Sequence, residues 1–141
     1  MTGHVVAEMP AAAARGSPSE RERSVPIAPT HTLRIRTDCC GDARVVHLAG
    51  AADLLEAGWL REHLATTIRR ARGPVVVDLA ELGFLGPAGL GALVAAHVQA
   101  RRHGTPLRLA APRPLVRELL QRAGLTRMIP THETVATALR A

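Results

Sequence analysis

The run Val75-Val76-Val77, followed by Leu79, constrains the fold of this chain more than any other segment. Consecutive β-branched residues favour a strand, and a strand with apolar residues on both faces is typical of the middle of a sheet. Apolar residues at helical spacing precede this run. Another such set follows it from Pro87, a residue suited to the first turn of a helix because it has no N–H to lose there. The segment therefore predicts a buried strand between two helices.

The remaining apolar patterns extend this order in both directions. Leu33 and Ile35 alternate with arginines, and a second strand pattern at Val45–Leu48 follows turn residues 38–42, which predicts a hairpin. The other predicted elements are a helix from Asp53 to Gly73, a loop over 80–86, a helix from Pro87 to Gly104, a strand at Leu107 and Leu109, a helix from Pro114 to Gly124, a short edge strand at Met128-Ile129 and a helix over Glu133–Arg140 capped by Thr131. The order predicts an α/β fold with a mixed sheet of four to five strands covered by about four helices.

The chain length of 141 residues argues for one domain with a tail. Residues 1–31 contain four prolines, all three serines and a short run of alternating charges without hydrophobic periodicity. This composition predicts a disordered N-terminal tail over 1–31 and a folded domain over 32–141. Phe84 and Trp59 are the two aromatic residues, so aliphatic side chains must build the core, and we expect no base-stacking platform.

The formal net charge of +6 comes from 18 arginines, because the sequence contains no lysine. Nucleic-acid binding needs basic residues concentrated on one face, whereas these arginines are scattered over all predicted elements. We therefore expect no direct nucleic-acid binding, and an acidic protein partner remains compatible with the charge.

Cys39 and Cys40 are adjacent, which disfavours a disulfide between them, and the seven histidines show no metal-ligand spacing. We expect two thiols in a reducing cytoplasm, with no metal and no cofactor. The first 15 residues lack the apolar core of a signal peptide, and nowhere do about 18 consecutive apolar residues occur, so we expect neither secretion nor membrane insertion.

The sequence offers no constellation of catalytic residues. It contains no Ser-His-Asp set, its glycines over 83–91 do not match a dinucleotide fingerprint, and the absence of lysine excludes a Walker lysine. We therefore interpret the chain as a non-enzymatic protein.

Three segments together resemble a STAS domain, the fold of bacterial anti-sigma factor antagonists. They are Val45–Asp53 (VVHLAGAAD), Val75–Leu93 (VVVDLAELGFLGPAGLGAL) and Leu107–Leu125 (LRLAAPRPLVRELLQRAGL). The resemblance spans about residues 32–141. It implies a regulatory protein that binds an anti-sigma factor, a histidine-kinase-like ATPase, and so frees a sigma factor.

In that family the loop before the second helix usually reads Asp-Ser-Ser-Gly or Asp-Ser-Thr-Gly, and a partner kinase phosphorylates the hydroxyl residue just before the glycine. The added charge breaks the complex. This sequence has Gly86, Pro87 and Ala88 at the three positions, so the phosphoacceptor position is Ala88 and has no oxygen to modify. The resemblance therefore implies a protein that has lost the usual switch.

The resemblance also implies a partner-binding surface where the loops after two neighbouring strands meet. Its predicted residues are Asp53, Gly83, Phe84, Gly86, Pro87, Ala88, Gly89 and Leu90. Several have plainer interpretations. Asp53, three residues before Glu56, can cap the first helix, Gly89 and Gly91 can let the second helix pack closely on the sheet, and Phe84 can plug the core. We expect Trp59 to be partly buried and His97 to be a residue of the core.

Two other functions stay open at this point. The chain resembles stand-alone STAS proteins that serve as accessory subunits of membrane transport complexes, and a small-molecule-sensing module is a third hypothesis with less support. A co-purifying ATPase subunit of a transporter would point to the first of these. The sequence leaves a homodimer open and does not name the partner.

Overall fold

The computed structural model describes residues 5–8 and 33–141. In chain order the elements are β1 (Val5–Glu8), β2 (Leu33–Cys40), β3 (Ala43–Ala52), α1 (Ala57–Arg70), β4 (Val75–Leu85), α2 (Pro87–His103), β5 (Leu107–Ala110), α3 (Pro114–Arg122), α4 (Leu125–Met128), β6 (Thr131–His132) and α5 (Val135–Arg140).

The strands form one six-stranded sheet in sequence order, β1 to β6. β1, β2 and β3 pair antiparallel, whereas β3 to β6 pair parallel. Each parallel pair is joined by a helical crossover, as parallel strands require. The predicted α/β fold with a mixed sheet is confirmed, and the short strand β1 at one edge adds to the strands that the sequence predicts.

Aliphatic side chains form the core on both faces of the sheet. On one face α1 and α2 pack on the strands, and Leu60, Leu64 and Ile68 are at most 1% exposed. A smaller cluster joins Val76 to Ala138 of α5. Because Val75 and Val77 belong to the large cluster and Val76 to the small one, the predicted central buried strand is confirmed.

Strand β1 pairs with the outer edge of β2, from Val5 opposite Thr37 to Glu8 opposite Arg34. At these four residues the structure differs from the disordered tail that composition predicts over 1–31. The segment reads VVAE, and its two β-branched valines favour a strand, while β2 would otherwise leave a row of N–H and C=O groups unpaired. The rest of that range lies outside the described residues, and the domain boundary at residue 32 stays a prediction.

Three predicted boundaries are corrected. β4 continues to Leu85 through the range predicted as a loop, because 81–85 pair in parallel with 49–52 of β3. The last strand is Thr131–His132, since Ile129 is buried in the core instead of lying on an edge strand. Thr134, not Thr131, caps the last helix, and its hydroxyl accepts a hydrogen bond from the N–H of Thr137 at 3.0 Å.

Candidate functional site

The C-terminal ends of β3 and β4 lie side by side. Ala52 is the register partner of Leu85, and the N–H of Gly86 donates to the carbonyl of Ala52 at 2.9 Å. Because the strands are parallel, the residues that follow them leave the sheet at the same end. The structure thus brings together Asp53 and the segment from Gly86 that were grouped from the sequence alone.

The Asp53 carboxylate lies directly against the backbone of Gly86. A Cβ built on Gly86 would overlap with both carboxylate oxygens of Asp53. Gly86 has a φ of −85°, which any residue adopts, so space rather than backbone conformation calls for glycine here. A side chain at position 86 and the carboxylate of Asp53 therefore exclude each other in this arrangement.

Helix α2 begins at this contact. Gly86 is its N-cap and offers no side chain, Pro87 is the first helical residue, and the N–H of Leu90 donates to the Gly86 carbonyl at 2.9 Å. The Asp53 carboxylate therefore supplies a negative charge next to the first turn of α2, which contains no acidic residue of its own. A helix N-terminus favours an anion at this place.

Gly89 and Gly91 turn out to have different roles. A Cβ on Gly89 would lie 2.5 Å from the carbonyl oxygen of Ala52 and 2.7 Å from Cδ1 of Leu85, so the interpretation that this glycine permits close packing of α2 is confirmed. A Cβ on Gly91 would meet no atom within 4 Å outside its own stretch of helix, and the residue is exposed. The packing interpretation is wrong for Gly91, because its position on α2 points away from the sheet.

The loop after β3 forms a turn that buries one acid. Helix α1 begins at Ala57, so Asp53 lies ahead of the helix and does not cap it, contrary to that interpretation. Half of the predicted capping box is present, since Oε1 of Glu56 accepts from the N–H of Asp53 at 3.1 Å. Glu56 is fully buried because it precedes Leu60 by four residues and continues the buried stripe of α1. Its Oε2 has no hydrogen-bond partner among the described residues.

Three exposed apolar side chains flank the contact between Asp53 and Gly86. Leu54 and Leu55 directly follow Asp53 and are 77% and 66% exposed, and Phe84 is 41% exposed. The expectation that Phe84 plugs the core is wrong, because its neighbour Leu85 is the residue that faces the core. Sequence reasoning also missed the two leucines, although both fall outside the four-residue spacing of the buried stripe, which is a usable signal of exposure.

Arg113 adds a positive charge at the edge of this region. Its Nε donates to the carbonyl of Ala80 at 2.8 Å, and its Nη1 lies 3.9 Å from the position of a Cβ on Gly83. Gly83 is exposed within β4. The region therefore combines one carboxylate, one guanidinium and exposed apolar groups.

Other residues singled out in the sequence lie elsewhere. Trp59 is half-buried against the core, as expected, whereas His97 is half-buried on α2 and does not belong to the core clusters. Cys39 and Cys40 are free, exposed thiols on β2. In the described part of the chain, the helices are too short or too polar to cross a membrane.

Two polar contacts of the sheet were not foreseen. His47 on β3 lies between two carboxylates, with Nδ1 2.6 Å from Asp78 and Nε2 3.0 Å from Asp38. On the face covered by α1 and α2, Nε2 of His63 is 2.9 Å from the hydroxyl of Thr37. Burial between α1 and the sheet lowers the pKa of His63, because the charged form loses hydration there.

Comparison with known proteins gives the family. Residues 35–130 match the sequence profile described as Mlab, STAS domain. A protein of Mycobacterium tuberculosis (strain ATCC 25618 / H37Rv), named as a candidate anti-anti-sigma factor, Rv2638, is 34% identical over 113 residues, which are 79% of this chain and 76% of that protein.

Two solved structures share the fold. An anti-sigma factor antagonist from Mycobacterium paratuberculosis superposes with a TM-score of 0.72 at 24% identity, covering 80% of this chain and 95% of that one. The anti-sigma factor antagonist SpoIIAA in its unphosphorylated form gives a TM-score of 0.64 at 20% identity, covering 74% and 92%. The profile match over residues 35–130 and the 34% identical relative from Mycobacterium tuberculosis show that this chain belongs to the STAS domain family.

Proposed function

We propose that this protein is a non-enzymatic regulatory binding protein that docks an anti-sigma factor of the histidine-kinase-like ATPase type and is not phosphorylated at the usual site. The proposed docking surface consists of Asp53, Leu54, Leu55, Gly83, Phe84, Pro87, Ala88 and Leu90. Gly86 and Gly89, which the sequence also assigned to it, are buried, so a partner would not contact them directly. The observation that carries the proposal is the exposure of Leu54, Leu55 and Phe84 around the Asp53–Gly86 contact. Exposed apolar groups beside a defined charge are typical of a protein-binding surface.

The chemistry of the surface supports binding rather than a reaction. Its side chains are leucines, one phenylalanine, one proline and one alanine around the Asp53 carboxylate. Leu54 and Leu55 extend from a turn held by the hydrogen bond from the Asp53 N–H to Glu56. Such side chains stabilise a complex when a partner covers them, because burial removes apolar area from water.

The loop itself opposes phosphorylation. From Ile68 to Gly104 the chain has no Ser, Thr or Tyr, and Gly86 has no room for the side chain that usually precedes the acceptor. The nearest hydroxyls in sequence are Thr67, which donates to the carbonyl of His63 at 2.9 Å, and Thr105, which follows the far end of α2. A complex formed by this surface would therefore lack the off switch that phosphate provides.

Affinity purification of the full chain from its native cell tests the proposal. An anti-sigma factor among the stoichiometric partners supports it, whereas an ATPase subunit of a transporter in its place would favour the transport-complex alternative.

Surface variants then locate the contact. Leu55→Asp should weaken the purified complex by about ten-fold or more, since a charge would be buried where an apolar group was. Met128→Asp is the matched control, because Met128 is 40% exposed and lies beside Thr105 and Pro106, which precede β5 at the opposite end of the sheet. Equal affinity of Leu55→Asp and wild type, with both folded, would place the interface elsewhere.

A further inference from the structure

A groove of about 800 Å³ lies between α1 and α2 at the surface of the molecule. Small side chains form its floor, namely Ala65 of α1 with Ala95 and Ala96 of α2. Val98 lies beside them and is 42% exposed. The groove shares no residue with the docking surface proposed above.

The shape of the groove suits a helix. Its α1 side extends from Gly58 to Arg69, which at about 1.5 Å per residue is about 16 Å, or three helical turns. Floor residues without long side chains allow the backbone of a third helix to approach closely. A helix laid in such a groove would bury the exposed part of Val98 under its own apolar stripe.

The charges around the groove are predominantly positive. Arg61 and Arg69 of α1 and Arg102 of α2 line it, against a single acid, Glu62. The ion pairs between described residues include none of these three guanidiniums. Arginine keeps its charge throughout the physiological pH range, and guanidiniums without an ion pair at an apolar groove bind carboxylates well because they are weakly hydrated.

We propose that the α1–α2 groove binds an acidic amphipathic helix of a partner protein, with apolar side chains on the alanine floor and Val98 and carboxylates on the arginines. The apolar floor favours a protein helix over a nucleic acid, because a phosphate backbone would gain nothing from contact with Ala95 and Val98. The inference does not depend on the proposed function, since the two surfaces are separate.

A peptide selection on the full chain tests this proposal. The probe is a phage-displayed library of helical peptides about 18 residues long, five turns. Peptides that pair a leucine or isoleucine stripe with flanking Asp and Glu should be enriched, and their synthetic forms should bind in fluorescence anisotropy at about 0.15 M ionic strength, where the screening length is about 8 Å. Failure to enrich acidic amphipathic sequences would overturn the proposal.

Two charge-reversed proteins show whether binding is in the groove. Arg61→Glu with Arg102→Glu should weaken the selected peptide by about ten-fold or more, as should Val98→Asp. Arg70→Glu with Arg101→Glu is the matched control, because both arginines are exposed on the same helices and do not line the groove. It should change affinity by less than about three-fold, since charges outside the contact are screened.

Two results would contradict the groove as the site. One is equal weakening by the two charge-reversed pairs, which would indicate attraction to overall charge. The other is displacement of the peptide by single-stranded DNA at similar concentration, which would indicate a general anion site. Circular dichroism spectra of all variants confirm that each one is folded.

Discussion

The carboxylate of Asp53 occupies the space that a side chain at Gly86 would need. The two residues are far apart in sequence, and the parallel pairing of β3 with β4 places them in contact. This relationship limits which side chains position 86, the N-cap of α2, accepts.

Gly86→Ala should destabilise the protein by about 1–3 kcal/mol, because the added Cβ overlaps with the Asp53 carboxylate in a buried place. When Asp53 is already alanine, Gly86→Ala should lower the free energy of unfolding by clearly less. Urea unfolding of the four proteins gives the coupling energy. Strict additivity of the two single changes would contradict the described contact.

The wild-type protein should stay unphosphorylated when it is incubated with related anti-sigma factor kinases and ATP. Phosphoryl transfer to this loop requires a hydroxyl in line with the γ-phosphate, and Ala88 has none. Intact-mass spectrometry checks the result, and a stoichiometric phosphate on Thr67 or Thr105 would show a relocated switch.

Ala88→Ser alone should restore little phosphorylation, since Gly86 and Pro87 also depart from the family loop. Restoring Asp-Ser-Ser over 86–88 should give more phosphorylation when Asp53→Ala is added, because the aspartate side chain introduced at position 86 then has room. Comparable phosphorylation of the restored loop with and without Asp53 would argue that the carboxylate moves aside easily.

Glu56→Ala should lower the free energy of unfolding by about 1–3 kcal/mol, because the N–H of Asp53 loses its acceptor. Glu56→Gln keeps an acceptor oxygen at this position and should lose less than half as much. Thermal and urea unfolding compare the two. A glutamine as damaging as the alanine would show that the charge of Glu56 matters more than its hydrogen bond.

The contribution of His63 to the free energy of unfolding should fall as the pH drops below about 6.5, the pKa of this histidine in the unfolded chain. It should level off below the lower pKa of His63 in the folded protein. In this window the unfolded chain binds a proton that the folded protein does not, so acid favours unfolding. His63→Gln should reduce the loss of melting temperature between about pH 7.5 and pH 5.5 relative to wild type. An unchanged loss would assign the pH dependence to other groups.

Local patterns in the sequence determined most of the fold. The four-residue spacing of Leu60, Leu64 and Ile68 indicates which face of α1 is buried. The valine run at 75–77 indicates a strand with apolar groups on both faces. These signals need only the geometry of one helix or one strand, so they can be read before any tertiary contact is known.

Register and packing decided the rest. The pairing of Ala52 with Leu85 joins Asp53 to Gly86, and no local pattern contains that register. The exposure of Phe84 depends on Leu85 taking the core position, which a single aromatic residue in a predicted loop does not reveal. Strand β1 forms because β2 presents an open edge, and the α1–α2 groove exists because two helices with small facing residues lie on the same face of the sheet. Each of these features belongs to a pair of elements, so its physical cause lies in the tertiary structure.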